Sequence, residues 1–543
     1  MQSISTLKLF SNSTFRNLWS ATLVSNLGGL IQTVGAGWLM ELISSSHSMV
    51  GLVQSATVLP LFMFSLMAGA LADNFNRRKI MLCSQIILMI LSLSLVILSY
   101  IGFITPGLLL CFTFLIGCGN AFYNPSWQAT MGDIVSRENI PAAVSLNSVG
   151  FNSMRSIGPA IGGFIIATLG ATAAFLFNAV SYILLICALF FWKPNYKNNT
   201  LPRERFLGAV ADGLRYVMMS PNLLSIMVRA FLFGVGAISI LALLPIVAHN
   251  IFKGSALLYG TLLGCFGLGA IVAGVINSRI RRYFSSEKII ISAFIGFAVS
   301  CFFLAFSRSL IVSHIVLFPA GLCWVLALSL FNTSVQLSTP RWVVARTLAL
   351  YQTASFGGMA IGSAIWGALA DGYSPSVALS ACALFLVFGA LVGIKFKIQE
   401  IPQIDLDPLD HFREPELLLD LKARSGPIMI MIDYQIHEND LEEFLKVMTR
   451  RRHIRLRDGA RQWVLLRNLE RPECWTEAYH MPTWVDYLRH NHRRTKADAE
   501  VNKHLHRLNC DPNGIRVHRM IERQTIPQVN EMHLKPSANH LPE

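Results

Sequence analysis

The sequence predicts an all-α membrane protein with twelve transmembrane helices in two six-helix halves, followed by a small α+β domain. Only 14% of the 543 residues are charged, whereas soluble domains contain roughly 25%. Between Phe15 and Lys397, apolar runs of about 20 residues follow one another with short gaps, and each can cross a bilayer core of about 30 Å as a helix. After Glu400 the chain is rich in charge and contains no further run of this kind.

The apolar runs form two groups of six with a longer polar gap between the groups. They are predicted near residues 16–40, 50–72, 79–101, 106–128, 144–169, 172–193, 223–249, 256–280, 287–307, 310–332, 345–370 and 375–397. We therefore expect an N-terminal half (1–193), a linker (194–222) and a C-terminal half (223–398). A second linker (399–424), a soluble domain (425–523) and a disordered tail (524–543) are expected to follow.

Lysine and arginine are distributed unevenly between the connections of the predicted helices. Alternate connections contain basic clusters such as Arg77–Lys79 and Arg281–Arg282, whereas the others contain only Lys253 and Arg308. The positive-inside rule then predicts that both termini face the cytoplasm, and residues 1–19 are interpreted as a cytoplasmic lead-in rather than a signal peptide. Topology and a basic tail account for most of the net charge of +14, so nucleic-acid binding is not needed to explain it.

The polar gap between the two groups contains an amphipathic pattern. Apolar residues recur there at helical spacing, with arginines around them: Phe206, Leu207, Val210, Leu214, Val217 and Met218. This pattern fits a helix that lies on the inner leaflet of the membrane, and it fits an ordinary linker helix equally well.

The connection between the second and third predicted helices reads "GALADNFNRRKIML", and its counterpart in the second half reads "GVINSRIRRYFSSEKII". Two related six-helix halves are typical of secondary transporters. The first connection resembles the loop signature of the major facilitator superfamily, and the matching residues are Gly69, Asp73, Arg77 and Arg78. The resemblance implies that these four residues form a cytoplasmic gating latch. Asn76 replaces the second glycine of the signature, and asparagine tolerates the φ > 0 that a glycine would adopt there.

The fifth predicted helix contains a glycine-proline pair and two further glycines. Gly158, Pro159, Gly162 and Gly163 resemble the end of a signature found in antiporters of this superfamily, although Met154 replaces the glycine of its longer form. Glycines let another helix approach closely, and a proline bends its helix. The eleventh predicted helix has glycines at the same spacing, Gly358 and Gly362. We expect all of these residues to lie along moving seams of the carrier.

Two segments narrow the resemblance within the superfamily. They read "FRNLWSATLVSNLGG" and "NPSWQATMGDIVSRENIPAAVSLNSVGFNSMRSIGPAIGGF". Both are similar to the enterobactin-exporter-like branch, also called transmembrane secretion effectors, and the similarity covers essentially the whole chain. The resemblance implies a secondary transporter that moves a siderophore, a drug-like amphiphile or another secreted metabolite across the cytoplasmic membrane of a bacterium.

Arg155 lies near the middle of the fifth predicted helix, where a cation is costly and usually functional. We expect it to line a central cavity and to receive an anionic or polar group of the substrate; structural pairing with a carboxylate and exposure to lipid remain alternatives. The other cavity candidates are Asn26, Asn124, Trp127, Gln128 and Asn152. Arg229, which lies nearer the cytoplasmic face, is expected to snorkel.

Carboxylates are nearly absent from the predicted helices. The first helix has none before Glu41, which argues against a permanently cationic substrate. If transport is coupled to a proton counter-ion, the candidate proton carriers are Glu41, Asp371 and His314.

The region after residue 425 predicts strands and helices in the order βαββαβ, which is ferredoxin-like. It resembles the small dimeric barrels of antibiotic-biosynthesis monooxygenases, and we interpret it as a dimerising or regulatory module, so a homodimer through this domain is one expectation. The histidines at 490, 492, 504 and 506 are expected to decorate a solvated basic face. No catalytic residue, metal site or cofactor is predicted.

The leading functional hypothesis is therefore export of a small molecule by alternating access. An importer or lysolipid flippase with the same fold remains an alternative, and so does a membrane-tethered sensor that works through the C-terminal domain. The sequence contains no Gly-Lys dipeptide, so a P-loop that would drive the chain as a nucleotide-dependent pump is excluded.

Overall fold

A computed structural model describes residues 6–135, 140–193, 206–340, 342–398, 409 and 414–522. Within these residues, twelve long helices lie in the region of the predicted spans. They are α1 (Ser13–Ile43), α2 (His47–Asn74), α3 (Arg77–Ile101), α4 (Pro106–Ile134), α5 (Ile140–Leu169), α6 (Ala171–Phe191), α8 (Pro221–Ile246), α9 (Ala256–Tyr283), α10 (Ser286–Phe306), α11 (Leu310–Leu337), α12 (Val344–Gly372) and α13 (Pro375–Val392).

A shorter helix, α7 (Phe206–Met218), lies between the two groups of six, and α8 continues into a π-helical turn at Val247–Ile251. Ten of the long helices in the described part of the chain are long and apolar enough to cross a membrane. The other two are α1 and α5; in α5 the described apolar stretch, Ser153–Leu169, is shorter. The predicted two-times-six arrangement is confirmed.

Polar side chains cap several of the long helices where they emerge into the connections. Asn76 illustrates this: its φ is −67°, and its side-chain oxygen accepts a hydrogen bond from the backbone N–H of Lys79 at 3.2 Å. The residue therefore acts as the N-cap of α3. It does not adopt the φ > 0 that we expected of a replacement for glycine.

The chain folds into two compact units that differ from the predicted division. The first comprises Met1–Phe206, Asn222–Val335 and Leu348–Glu400, and it contains both six-helix halves. The second comprises Leu207–Pro221, Gln336–Thr347 and Ile401–Glu543. Most of α7 and the connection between α11 and α12 thus belong with the C-terminal region, although they are distant from it in sequence.

The second unit contains a four-stranded antiparallel sheet. Its strands are β1 (Ile428–Gln435), β2 (Arg461–Arg467), β3 (Cys474–Met481) and β4 (Arg516–Ile521), in the order β2-β3-β1-β4. Alternate residues of β1 are buried, because side chains of a strand point alternately to its two faces. Three helices accompany the sheet: α14 (Leu441–Arg457), α15 (Trp484–His492) and α16 (Lys496–Leu508). The predicted α+β domain is confirmed.

One prediction about this domain is wrong. His490 does not lie on a solvated face: it is 1% exposed and accepts a hydrogen bond from Arg455 at 2.8 Å. Its other ring nitrogen donates to the backbone oxygen of Asp458 at 3.3 Å. Burial and the nearby charge of Arg455 hold the pKa of His490 well below its usual value, so the ring is neutral. The neighbouring His492 is exposed, as expected.

Candidate functional site

Arg155 contacts an aromatic residue of the other half. It is the sixteenth of the 30 residues of α5, and its guanidinium carbon lies 5.0 Å from the ring centroid of Trp324, which is near the middle of α11. Trp324 is 2% exposed, and its indole N–H has no hydrogen-bond partner among the described residues. A cation over an indole face is favourable, above all where water is excluded. None of the described acidic side chains forms an ion pair with Arg155.

Contacts of the other cavity candidates with Arg155 are not seen among the described residues, and their role in a cavity stays a prediction. Asn26 is half-buried, and Asn124 and Gln128 are exposed on α4. Trp127 is buried, and its indole N–H donates to Asn147 at 3.2 Å, so it packs within the N-terminal half. The side chain of Asn152 lies outside the described residues.

Among the described residues, two pairs of glycines bring the backbones of the two halves into close contact. A Cβ added to Gly163 of α5 would lie 2.6 Å from the Cα of Gly260 in α9, and a Cβ added to Gly51 of α2 would lie 2.9 Å from the Cα of Gly367 in α12. Real Cβ atoms do not approach backbone this closely, so both contacts require glycine. The motif in α5 identified one of these contacts, whereas the pair Gly51–Gly367 carries no signature that we recognised.

The remaining glycines of the predicted seams pack inside a half. Gly158 and Gly162 face α1, where their nearest atoms belong to Leu30 and Ile31. Gly358 and Gly362 face α8: an added Cβ would lie 2.4 Å and 2.2 Å from backbone oxygens of that helix. Both α8 and α12 belong to the C-terminal half, so these two glycines do not lie between the halves as we expected.

Polar residues join the halves at one end of the bundle, which we call the α1–α2 end and which is defined by the connections at 44–46, 252–255 and 373–374. The carboxylate of Asp371 accepts hydrogen bonds from Ser46 (2.8 Å), from the backbone of His47 (3.0 Å) and from Ser48 (2.9 Å). A carboxylate at a helix N-terminus is stabilised by the unpaired N–H groups there. Asp371 thus caps α2 of the opposite half.

A second polar contact at this end pairs two titratable groups. Oε1 of Glu41 lies 3.3 Å from Nδ1 of His249, and Glu41 is 7% exposed. The other carboxylate oxygen of Glu41 has no hydrogen-bond partner in the described part of the chain. The indole of Trp38 packs edge-on against the ring of His249. His314 is elsewhere: it contacts Thr261 at 3.2 Å and a backbone oxygen of its own helix.

A family model described as "Transmembrane secretion effector" matches residues 4–525. The chain belongs to this family. The match covers both halves and the C-terminal domain, whereas the resemblance of that domain to antibiotic-biosynthesis monooxygenases is tested by no comparison and stays a prediction.

Curated relatives are transporters of the same superfamily. The Staphyloferrin A transporter of Staphylococcus aureus is 25% identical over 49% of this chain and 67% of its own length. The multidrug efflux pump Tap of Mycolicibacterium fortuitum is 22% identical over 69% of this chain and 93% of its own length. Among solved structures, a bacterial homologue of the human lysosomal transporter Spinster, inward-facing and unoccupied, has a TM-score of 0.53 at 15% identity, over 73% of this chain and 95% of that one. The chain is therefore a multi-pass transporter with the fold of the major facilitator superfamily.

The latch signature of this superfamily is described only in part. A Cβ added to Gly69 would have no described atom within 4 Å. Arg78 donates to the backbone oxygens of Leu189 (2.9 Å) and Phe190 (2.6 Å) at the end of α6. Arg78 therefore binds the C-terminus of a helix in its own half. The side chain of Asp73 lies outside the described residues, and the gating role of these residues together with Arg77 stays a prediction.

Arg229 does not snorkel. It is 0% exposed and forms an ion pair with Glu287, and its guanidinium lies over the ring of Phe294. The other oxygen of Glu287 accepts a hydrogen bond from the backbone of Ile398 at 2.9 Å. Glu287 was not predicted as the partner of Arg229, although it is the first residue of the predicted run 287–307, because the sequence does not show which helices pack together.

Proposed function

We propose that this protein is a secondary exporter of a small amphiphilic or anionic metabolite, such as a siderophore or a drug, and that it works by alternating access. The contact of Arg155 with Trp324 carries the proposal. An arginine near the middle of a membrane helix is costly unless it is paired or exposed to a water-filled path, and no described carboxylate neutralises this one. An anionic group of a substrate would supply the missing charge.

The contacts between the halves define the conformation of the carrier, and the relatives indicate the direction of transport. The two glycine contacts and the polar network of Asp371 and Glu41 all lie towards the α1–α2 end. If the positive-inside orientation holds, this end faces outwards and is closed in this conformation. Importers and exporters both pass through such a state, so the direction is inferred from the relatives. The names of the relatives, a siderophore transporter and a multidrug efflux pump, support export of a compound of this kind.

If transport is coupled to protons, the pair Glu41–His249 is the proposed proton carrier. A buried carboxylate next to a histidine can release or accept a proton when the two groups separate, and these groups lie in opposite halves. Asp371 is a weaker candidate because it is exposed and holds a helix cap.

The test compares the culture medium and the cell contents of a deletion strain by untargeted mass spectrometry after complementation with wild type or Arg155→Ala. Export of an anionic compound should fall at least about tenfold in the variant, because an ion pair with a charged group contributes roughly 1.5–3 kcal/mol. Arg155→Lys should retain part of the activity, since it keeps the charge but loses the planar stacking on Trp324.

Arg308→Ala is the matched control, because Arg308 is exposed in the connection between α10 and α11. It should export like wild type at equal expression. Export by Arg155→Ala at the wild-type rate would remove the substrate role of this residue. Depletion of a compound from the medium, instead of its appearance there, would turn the proposal into import.

A further inference from the structure

The C-terminal domain contains a cavity of about 370 Å³, and its lining includes none of the residues that we assign to transport. One wall is the sheet, with Ile430 and Ile432 of β1 and Val517 of β4; the other walls come from α14, α15 and α16. Ligand pockets in proteins have volumes of about 300–1,000 Å³. The cavity is therefore large enough for a small organic molecule.

The cavity is strongly basic. Four arginines line it, and the lining includes no acidic residue: the arginines are Arg451, Arg455, Arg494 and Arg519. Arg451 and Arg455 share one buried carboxylate, that of Glu477, at 2.6 Å and 3.2 Å. Burial opposes ionisation of Glu477, but these two guanidinium groups outweigh that effect and lower its pKa to about 2. Glu477 therefore neutralises one of the two charges, and at least one positive charge remains unbalanced.

Arg494 differs from its neighbours because its guanidinium group forms no hydrogen bond or ion pair with any described residue. Burial, together with the charge of Arg455, lowers the pKa of Arg494 to about 10. The side chain also borders an adjoining void of about 20 Å³, which is roughly the volume of one water molecule. Arg494 is half-buried, and a partly desolvated cation without a counter-charge among the described residues is stabilised by a bound anion.

Residues at the ends of the helices that line the cavity also contact α7 and the α11–α12 connection. Arg493, next to Arg494, binds Asp212 of α7 at 3.0 Å, and its guanidinium lies 4.1 Å from the ring centroid of Trp342 in the α11–α12 connection. Arg457, at the end of α14, lies 5.3 Å from the ring centroid of Tyr216 in α7. A shift of the α15–α16 junction towards the cavity would therefore displace these contacts.

We propose that this cavity binds a small organic oxyanion with an apolar body, and that binding is transmitted through Arg493 to α7 and to the α11–α12 connection. The oxyanion pairs with Arg494, and the apolar body packs against the isoleucines of β1. Since α7 joins the two halves in sequence, the domain acts as a sensor that adjusts the carrier.

Binding is tested by calorimetric titration of the purified full-length protein with benzoate and, separately, with inorganic phosphate. Benzoate should bind saturably, and Arg494→Gln should weaken it at least about tenfold through loss of a charged hydrogen bond. Arg507→Gln, on the exposed face of α16, is the matched control and should bind like wild type. Because the guanidinium of Arg494 has no hydrogen-bond or ion-pair partner among the described residues, its variant should keep the wild-type melting temperature, which is measured in parallel.

Three outcomes would overturn the proposal that the cavity binds an organic oxyanion through Arg494. They are the absence of saturable benzoate binding, binding of phosphate without benzoate, and equal affinity in Arg494→Gln. Arg155→Ala is included because benzoate could instead enter the transport path; loss of binding in that variant, with Arg494→Gln unaffected, would place the ligand there.

Transmission is tested by hydrogen–deuterium exchange of residues 206–218 with and without benzoate. The exchange rate of α7 should change on binding in wild type. Asp212→Asn should bind benzoate within about twofold of wild type, because Asp212 does not line the cavity, but should lose the response of α7. An unchanged exchange rate in wild type at saturating benzoate would overturn the sensor role.

Discussion

Arg155 and Arg229 both lie away from the ends of membrane helices, and their surroundings assign them different roles. Arg229 has a carboxylate partner, Glu287, and is wholly buried. Among the described residues, Arg155 contacts the face of Trp324 and no carboxylate. An ion pair compensates the cost of burying a charge within the membrane, whereas a lone arginine is not compensated. Arg229 is therefore assigned to stabilising the fold, and Arg155 is the candidate substrate ligand.

At Arg229 we predict a stability effect. Glu287→Gln would leave the guanidinium group buried without a counter-charge, which costs about 3 kcal/mol. The melting temperature of the purified protein should fall by several degrees. Glu500→Gln, a surface substitution of the same type in α16, should leave it unchanged. Equal melting temperatures for the two variants would mean that Arg229 finds another partner when Glu287 is neutral.

Single residues were the hardest part to predict from the sequence. Arg229, His490 and Asn76 were all assigned from local context: a membrane end, a basic run and a missing glycine. Each assignment failed because it did not include the contact that the residue makes. Arg229 pairs with Glu287 and His490 with Arg455, each from another helix, and Asn76 accepts a hydrogen bond from the backbone N–H of Lys79. The local sequence shows which residue types are present, but it does not show which residues contact one another in the folded protein.

At the scale of helices and strands, prediction was more successful for a physical reason. The length of an apolar run and the alternation along a strand such as β1 follow directly from the bilayer thickness and the pleat. The packing of a helix face does not follow in this way. Gly358 and Gly362 have the spacing of a helix contact, but spacing cannot tell whether the partner is α8 of the same half or a helix of the other half.

The contact between α5 and α9 gives the next prediction. Gly163→Ala places a methyl group 2.6 Å from the Cα of Gly260, so the helices must separate. We expect several-fold slower export at equal expression, together with a lower melting temperature. Gly274→Ala, also in this helix pair but with no atom within 4 Å of the added Cβ, should be neutral or slightly stabilising, because alanine favours helix formation. Equal export by both variants would contradict a role for this contact.

At the scale of the whole molecule, the grouping of the second unit was not predictable. The sequence places α7 and the α11–α12 connection between membrane helices. Contacts such as those of Arg493 with Asp212 and Trp342 show that they belong with the C-terminal domain. The apolar residues Leu214 and Met218 of α7 remain exposed, so a membrane-surface role for that face stays a prediction.

A truncation tests how the work is divided between the units. A chain that ends after residue 424 should still export, because the proposed substrate contact and both glycine contacts lie in the first unit. It should no longer bind benzoate at the site of Arg494. Complete loss of export, with the truncated protein present in the membrane at wild-type levels, would favour a machine in which the C-terminal domain is obligatory.

The glycine contacts have a mechanical consequence. Gly51, Gly163, Gly260 and Gly367 all lie within about six residues, or roughly 9 Å, of the helix ends at the α1–α2 end. A pivot placed so far from the middle gives unequal lever arms, so a small tilt moves the distant ends several times farther than the near ones. Opening the near end cannot be a rotation about these points and must pull them apart. The four glycines thus stabilise the conformation that is closed at the α1–α2 end and do not act as hinge points. Bulkier residues there would favour the conformation that is open at this end.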